Sequence, residues 1–265
     1  MNVLRYVLLG LAACMLVVLG WRLTTLKTPA GAPGGPSSAA AGQIGAARKL
    51  VVGRLSEVPQ FAAFYRQLDE DFPRSYARVV DGFSRKLAGT GTLPTPEAMI
   101  LETLRDLQQS QGVLAARASG ARLAALFDAR LALLDALAPT DPKQCADFLY
   151  GTADLPLADF SANHHDLVAA LASKQLAAMK DGQDRHADRD TPTATDFDLI
   201  ANGLAAKQLT PGEISVLLDG KTADPPIQDG RLCDMGRIYL NVLRDLPDDA
   251  RQRVYGLAAE LLARS

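Results

Sequence analysis

The sequence predicts an all-α domain, and three observations carry that prediction. Alanine and leucine dominate the composition, and both lose little on entering a helix. Aromatic residues are only 6% of the chain, too few for the β-branched and aromatic surfaces that strands need. Helix-start signals recur along residues 43–265, whereas no sustained apolar/polar alternation bounded by hairpin turns appears. No fixed-period repeat points to a solenoid. The expectation is a bundle-like array of about ten short helices behind an N-terminal membrane-spanning helix and a flexible linker.

The first element is the apolar run LLGLAACMLVVLGW. No charge lies between Arg5 and Arg22. Tyr6 to Trp21 is 16 residues, roughly 24 Å of helix against a hydrocarbon core of about 30 Å. Snorkelling by Arg5 and Arg22, and Trp21 at the interface, make a spanning helix feasible over a 1–27 anchor segment. A second reading rests on Leu11-Ala12-Ala13-Cys14, which resembles a bacterial lipobox and makes Cys14 the lipidation candidate. Against it, Met15 to Leu19 after the cysteine are apolar rather than linker-like. In the anchor reading Cys14 is a small apolar residue in the bilayer. Charge does not orient the span: the amino terminus and Arg5 balance Arg22 and Lys27. Residues 28–42 are rich in Pro, Gly, Ala and Ser, and read as a tether.

The helical domain, 43–265, follows, with a soft boundary near 139 that would divide it into two subdomains. Helices are expected near 43–56, 59–71, 73–88, 96–110, 113–138, 142–150, 161–180, 195–208, 211–219, 230–245 and 247–263. Thr210-Pro211-Gly212-Glu213 is a capping box with proline at the first helical position, flanked by a Leu209–Ile214 staple. Thr95-Pro96 and Asp141-Pro142 repeat the start signal, with Gln144 placed to reach back. Asp248 and Asp249 suit the first turn of the last helix, whose expected apolar face is Val254, Leu257, Ala258, Leu261 and Leu262. Leu123, Leu126, Phe127, Leu131, Leu134 and Leu137 form a core stripe. The polar stretch 181–195 reads as an exposed loop.

Charge excludes some functions. The net charge is −2 and no long Lys/Arg run occurs, so a nucleic-acid surface is not expected. No G-x-S-x-G, H-E-x-x-H, S-x-x-K or phosphate-loop motif is present. His164 and His165 are neighbours, about 100° apart on a helix, and so would not face one metal together. The acidic 184–190 stretch lacks the residue order of a calcium loop. Neither metal nor cofactor is therefore expected.

Two cysteines lie outside the apolar run, Cys145 and Cys233. In an oxidising compartment they would pair and close an 88-residue loop. Phe61, Phe64 and Tyr65 form an aromatic stripe at helical spacing, either core or a partner surface. Together these features lead to a single-pass protein of a bacterial inner membrane with a periplasmic helical domain. Its partners would be the lipid bilayer and another envelope protein, in a scaffold, interaction or accessory role. Two rival readings remain: a lipoprotein inhibitor or immunity-type binder, and an enzyme of unrecognised type using His164 or His165 with Asp166.

Overall fold

The computed structural model describes residues 38–149 and 157–264, and these are all-helical. The apolar run, Cys14 and residues 28–37 lie outside them. Among the described residues no helix is long and apolar enough to cross a membrane. In chain order the helices are α1 (Ser38–Leu55), α2 (Pro59–Asp71), α3 (Pro73–Thr90), α4 (Pro96–Ala115), α5 (Gly120–Leu137) and α6 (Pro142–Leu149). Then come α7 (Leu157–Asn163), α8 (His165–Arg185), α9 (Ala194–Ala206), α10 (Pro211–Asp219), α11 (Asp229–Arg244) and α12 (Asp248–Leu262).

Local chemistry explains most of the boundaries. Five helices begin at proline, Pro59, Pro73, Pro96, Pro142 and Pro211, where the missing N–H is one of the donors no helix can satisfy. Thr95 Oγ1 accepts from Ala98 N–H, and Asp141 Oδ1 accepts from Gln144 N–H at 2.9 Å. Gln144 does not complete the expected box: its Oε1 is buried without a partner. The Thr210–Glu213 box forms in full. The α1 helix starts inside the stretch read as tether, because Ala39 to Ala41 are the best helix formers.

The core is organised around α8. Val168, Leu171, Ala172, Leu176 and Met179 are buried along it, and it packs against α5, α4 and α2. The α5 stripe expected from sequence is buried throughout, joined by Leu133. Phe127 of α5 stacks on Tyr255 of α12 at 4.3 Å. Phe61, Phe64 and Tyr65 also point inward, at 0%, 0% and 4% exposure. The aromatic stripe is therefore core, and a partner surface on it is ruled out while α2 stays packed.

Three further expectations change. The 96–110 and 113–138 helices divide at 116–119, not at Gly112. Gly112 stays helical, and its missing side chain makes room for the Ala263 methyl. The expected 161–180 helix breaks at His164 and its second part runs on to Arg185. The buried face of α12 is Ala250, Val254, Tyr255 and Ala259, a rotation that leaves Leu261 57% exposed.

Helix α8 comes close to the end of α4 at Gly182. A Cβ there would run into the Leu114 carbonyl oxygen and the Ala118 backbone nitrogen, at the end of α4. Backbone cannot yield as a flexible side chain can. Gly82 of α3 has open space around its Cα. Gly182→Ala should therefore cost ~3 kcal/mol or more in urea unfolding. Gly82→Ala should be neutral or stabilising by up to ~1 kcal/mol in the same assay.

Candidate functional site

The turn at 116–119 joins α4 to α5 and is held from both sides by α8 and the segment after it. Four carbonyls at the end of one helix and four N–H groups at the start of the next need partners there. Arg189 reaches the carbonyl end: Nη1 donates to Ala116 O at 2.9 Å and Nη2 to Ala118 O. Asp181 reaches the other end, its Oδ2 accepting from Ser119 N–H at 2.7 Å. Each charge has the sign its helix end favours. Burial raises the Asp181 carboxyl, but its hydrogen bonds from Ser119 outweigh that and leave it lowered. Burial lowers the Arg189 guanidinium, with Asp181 opposing.

The segment 186–193 then forms one wall of a cleft. His186 is left-handed, with φ 52°, and this turns the chain so that Ala187 N–H donates to Arg117 O at 3.0 Å. Opposite stand the end of α4 and one side of α12. The cleft is about 400 Å³, within the range of ligand pockets. Four arginines line it, Arg117, Arg189, Arg253 and Arg264, beside apolar Val113 and Leu257.

Two of these arginines have carboxylate partners. Arg253 makes a two-pronged pair with Asp196, Nε to Oδ2 at 2.9 Å and Nη2 to Oδ1 at 2.8 Å. Arg264 pairs with Glu260 on the exposed rim. Arg117 donates to the His186 ring, and Arg189 to the two carbonyls. The cleft thus combines fixed guanidinium groups with an apolar flank, an arrangement suited to acidic or carboxylate-bearing groups on a partner. Exposed Asp188 and Asp190 on the loop wall limit the positive charge.

Asp196 does a second task. It closes a capping box with Thr193: Thr193 N–H donates to Oδ2 at 2.8 Å, and Asp196 N–H donates to Thr193 Oγ1 at 3.3 Å. Its side chain is 3% exposed. The Arg253 guanidinium, and then the Thr193 N–H, hold its carboxyl far below the usual carboxylate range.

Cys145 and Cys233 are joined in a disulfide, with a Cα–Cα separation of 5.4 Å. Both are buried, and the bond links α6 to α11, two helices that also pack against each other. Leu149 of α6 lies against Gly236 of α11, where a Cβ would displace it.

The histidines are dispersed. His165 Nε2 meets Glu97 Oε1 at 2.9 Å, and its ring stands edge-on to Phe61 at 5.1 Å. Burial raises the Glu97 carboxyl, but hydrogen bonds from its own backbone, His165 and Thr95 leave it lowered. Asp166, the carboxylate considered for His165 in the sequence, instead accepts from Gln60 Nε2 at 3.0 Å. His164 stacks on Phe160 at 4.2 Å. The His165–Glu97 pair ties α8 to α4 and does not line the arginine cleft. Among the described residues no group of three His, Cys, Asp or Glu is placed to hold a metal ion.

The arginine cleft was not legible as a site, since its walls come from three separated segments. The nearest signal was Thr193-x-x-Asp196, a capping pattern without the first-position proline that follows Thr95, Asp141 and Thr210.

Two outcomes follow. Asp196 has a lowered carboxyl, so its stabilisation is present above about pH 4 and is lost as the pH falls. Asp196→Asn should lower Tm at pH 7 and flatten the loss of Tm on acidification below pH 4, read by circular dichroism. Reducing the disulfide, or Cys145→Ala with Cys233→Ala, should cost ~4–5 kcal/mol by the loop-entropy model. Chemical unfolding with and without reductant measures that loss. No protein-family model, curated protein or solved structure matches the chain.

Proposed function

We propose that this chain is a membrane-tethered helical module of a bacterial cell envelope, with its domain in the periplasm, and that it works by binding another envelope protein. The arginine cleft is the observation that carries the binding role. Two of its guanidinium groups, Arg189 and Arg253, are held in place by protein acceptors, so little of their side-chain entropy is lost when a partner docks. The buried Cys145–Cys233 link supports the compartment, because such bonds persist where thiols are kept oxidised. The apolar run 8–21 supplies the tether in this reading, and the lipobox-like Leu11–Cys14 is the alternative means of attachment.

The location is tested by the intact mass of the chain extracted from host membranes, before and after reduction and alkylation. The expected result is a retained N-terminus, with Cys145 and Cys233 alkylated only after reduction. Free thiols without reductant would overturn the periplasmic placement. A chain beginning at lipid-bearing Cys14 would replace the spanning helix with a lipid. The binding role is tested by photo-crosslinking in the host from Val113, at the cleft, and from Leu50 on α1. A discrete adduct from Val113 that disappears in Arg117→Glu/Arg264→Glu is expected. No adduct from Val113, or equal adducts from both positions, would refute the cleft as the binding surface.

A further inference from the structure

Basic residues gather on α1 and α3, away from the arginine cleft. Helix α1 holds Arg48, Lys49 and Arg54 and no acid. Helix α3 holds Arg74, Arg78, Arg85 and Lys86 against a single acid, Asp81. The chain as a whole leans the other way, at a net charge of −2. Arg48 pairs with Asp81 at 2.5 Å, which sets α1 beside the exposed side of α3. At 3.6 residues per turn, Arg74, Arg78 and Arg85 fall on the same side of α3 as Asp81. Arg54 pairs with Glu57, and Lys86 with Glu102. Arg78 donates to Ser75, with Asp106 nearby. Among the described residues Lys49, Arg74 and Arg85 have no carboxylate partner.

Apolar side chains share this surface. Helix α1 buries Ala47, Val51 and Leu55, yet apolar and small residues continue onto its open side. Leu50 is 62% exposed, the most of any large apolar residue among those described, and Ile44 and Val52 are exposed too. Gly45 and Gly53 have no atom near where a Cβ would stand, so that side of the helix is uncovered. A surface helix ordinarily sets polar residues opposite its buried face. Exposed apolar side chains among lysine and arginine suit a lipid interface instead. There the apolar groups enter the acyl boundary and the cations meet anionic headgroups.

Only sixteen residues, 22–37, separate the apolar run ending at Trp21 from the first residue of α1. An unstructured stretch of that length spans about 20–24 Å on average. We infer that the exposed sides of α1 and α3 dock on the anionic surface of the bilayer that carries this run. Leu50 and Val52 would reach the acyl boundary, and Lys49, Arg74 and Arg85 the lipid phosphates. The inference rests on the membrane-tethered reading given above. The arginine cleft draws none of its lining from α1 or α3, so docking leaves it open to a protein partner.

The test uses the full chain reconstituted in vesicles with brominated acyl chains, which quench a tryptophan that reaches them. Trp21, the one tryptophan of the chain, is replaced in Trp21→Phe. In that background Leu50→Trp is compared with Phe197→Trp on α9, an exposed position whose helix packs against α10 and α11. Vesicles are phosphatidylcholine alone or mixed with phosphatidylglycerol. Quenching of Leu50→Trp should be about threefold or more stronger with phosphatidylglycerol, and the excess should vanish in high salt. Phe197→Trp should stay unquenched in both. Lys49→Glu/Arg74→Glu/Arg85→Glu should remove the excess; if that variant does not fold, the salt series decides. An unquenched Leu50→Trp with phosphatidylglycerol, equal quenching in both lipids, or equal quenching of Phe197→Trp would each overturn lipid docking. The basic side would then be left to an acidic partner protein. Flotation with phosphatidylcholine vesicles tests the tether separately. A chain that stays behind refutes the tether, while quenching in the anionic vesicles still decides the docking.

Discussion

The approach of α8 to the end of α4 constrains much of the remaining structure. Gly182 lets two backbones meet where any side chain would hold them apart. That contact fixes where α4 stops, and so fixes the 116–119 turn. The turn in turn presents its carbonyls to Arg189 and the Ser119 N–H to Asp181. Both charged residues lie close to Gly182 in sequence, so one short segment delivers the contact and both caps. The cleft is a by-product: once Arg189 is anchored, the chain from 187 to 193 has to run beside α12.

Charge in this domain is used for tying segments together more than for covering a surface. Asp196 caps its own helix and pairs with Arg253 of α12. Glu213 repeats the pattern with Thr210 and Arg231: the Arg231 guanidinium and then the Thr210 N–H hold its carboxyl down at about 2, against burial, which raises it. Each carboxylate serves a local cap and a distant arginine at once. Short polar residues at helix starts thereby become cross-links between helices, and the caps set tertiary geometry as well as helix ends.

The all-α character and most helix starts were legible in the sequence because they depend on local chemistry. Pro96, Pro142 and Pro211 mark the first turn of their helices for reasons internal to four or five residues. The α5 stripe was legible because a helix buried on one face shows its period. The pairing of Cys145 with Cys233 needed only an assumed compartment. Features set by distant partners were not legible. The rotation of the α12 face goes with the stacking of Tyr255 on Phe127, and the helical Gly112 with the close approach of Ala263. The aromatic stripe of α2 could not be assigned from period alone, since core and docking surface share one pattern. The arginine cleft lay furthest from view, because its charged residues look solvated until their backbone acceptors are in place.

The disulfide also bears on how the domain responds to force. A pull applied through the residues before α1 enters the domain at Ala47, Val51 and Leu55, side chains that α1 buries. Those contacts can peel away a turn at a time. The chain between the linked cysteines, a sequence separation of 88, cannot be drawn out, which withholds about 300 Å at ~3.4 Å per residue. Under load the molecule would behave as an extensible amino-terminal portion leading to a knot of fixed length, and the wall of the cleft from 186 to 193 lies within that knot.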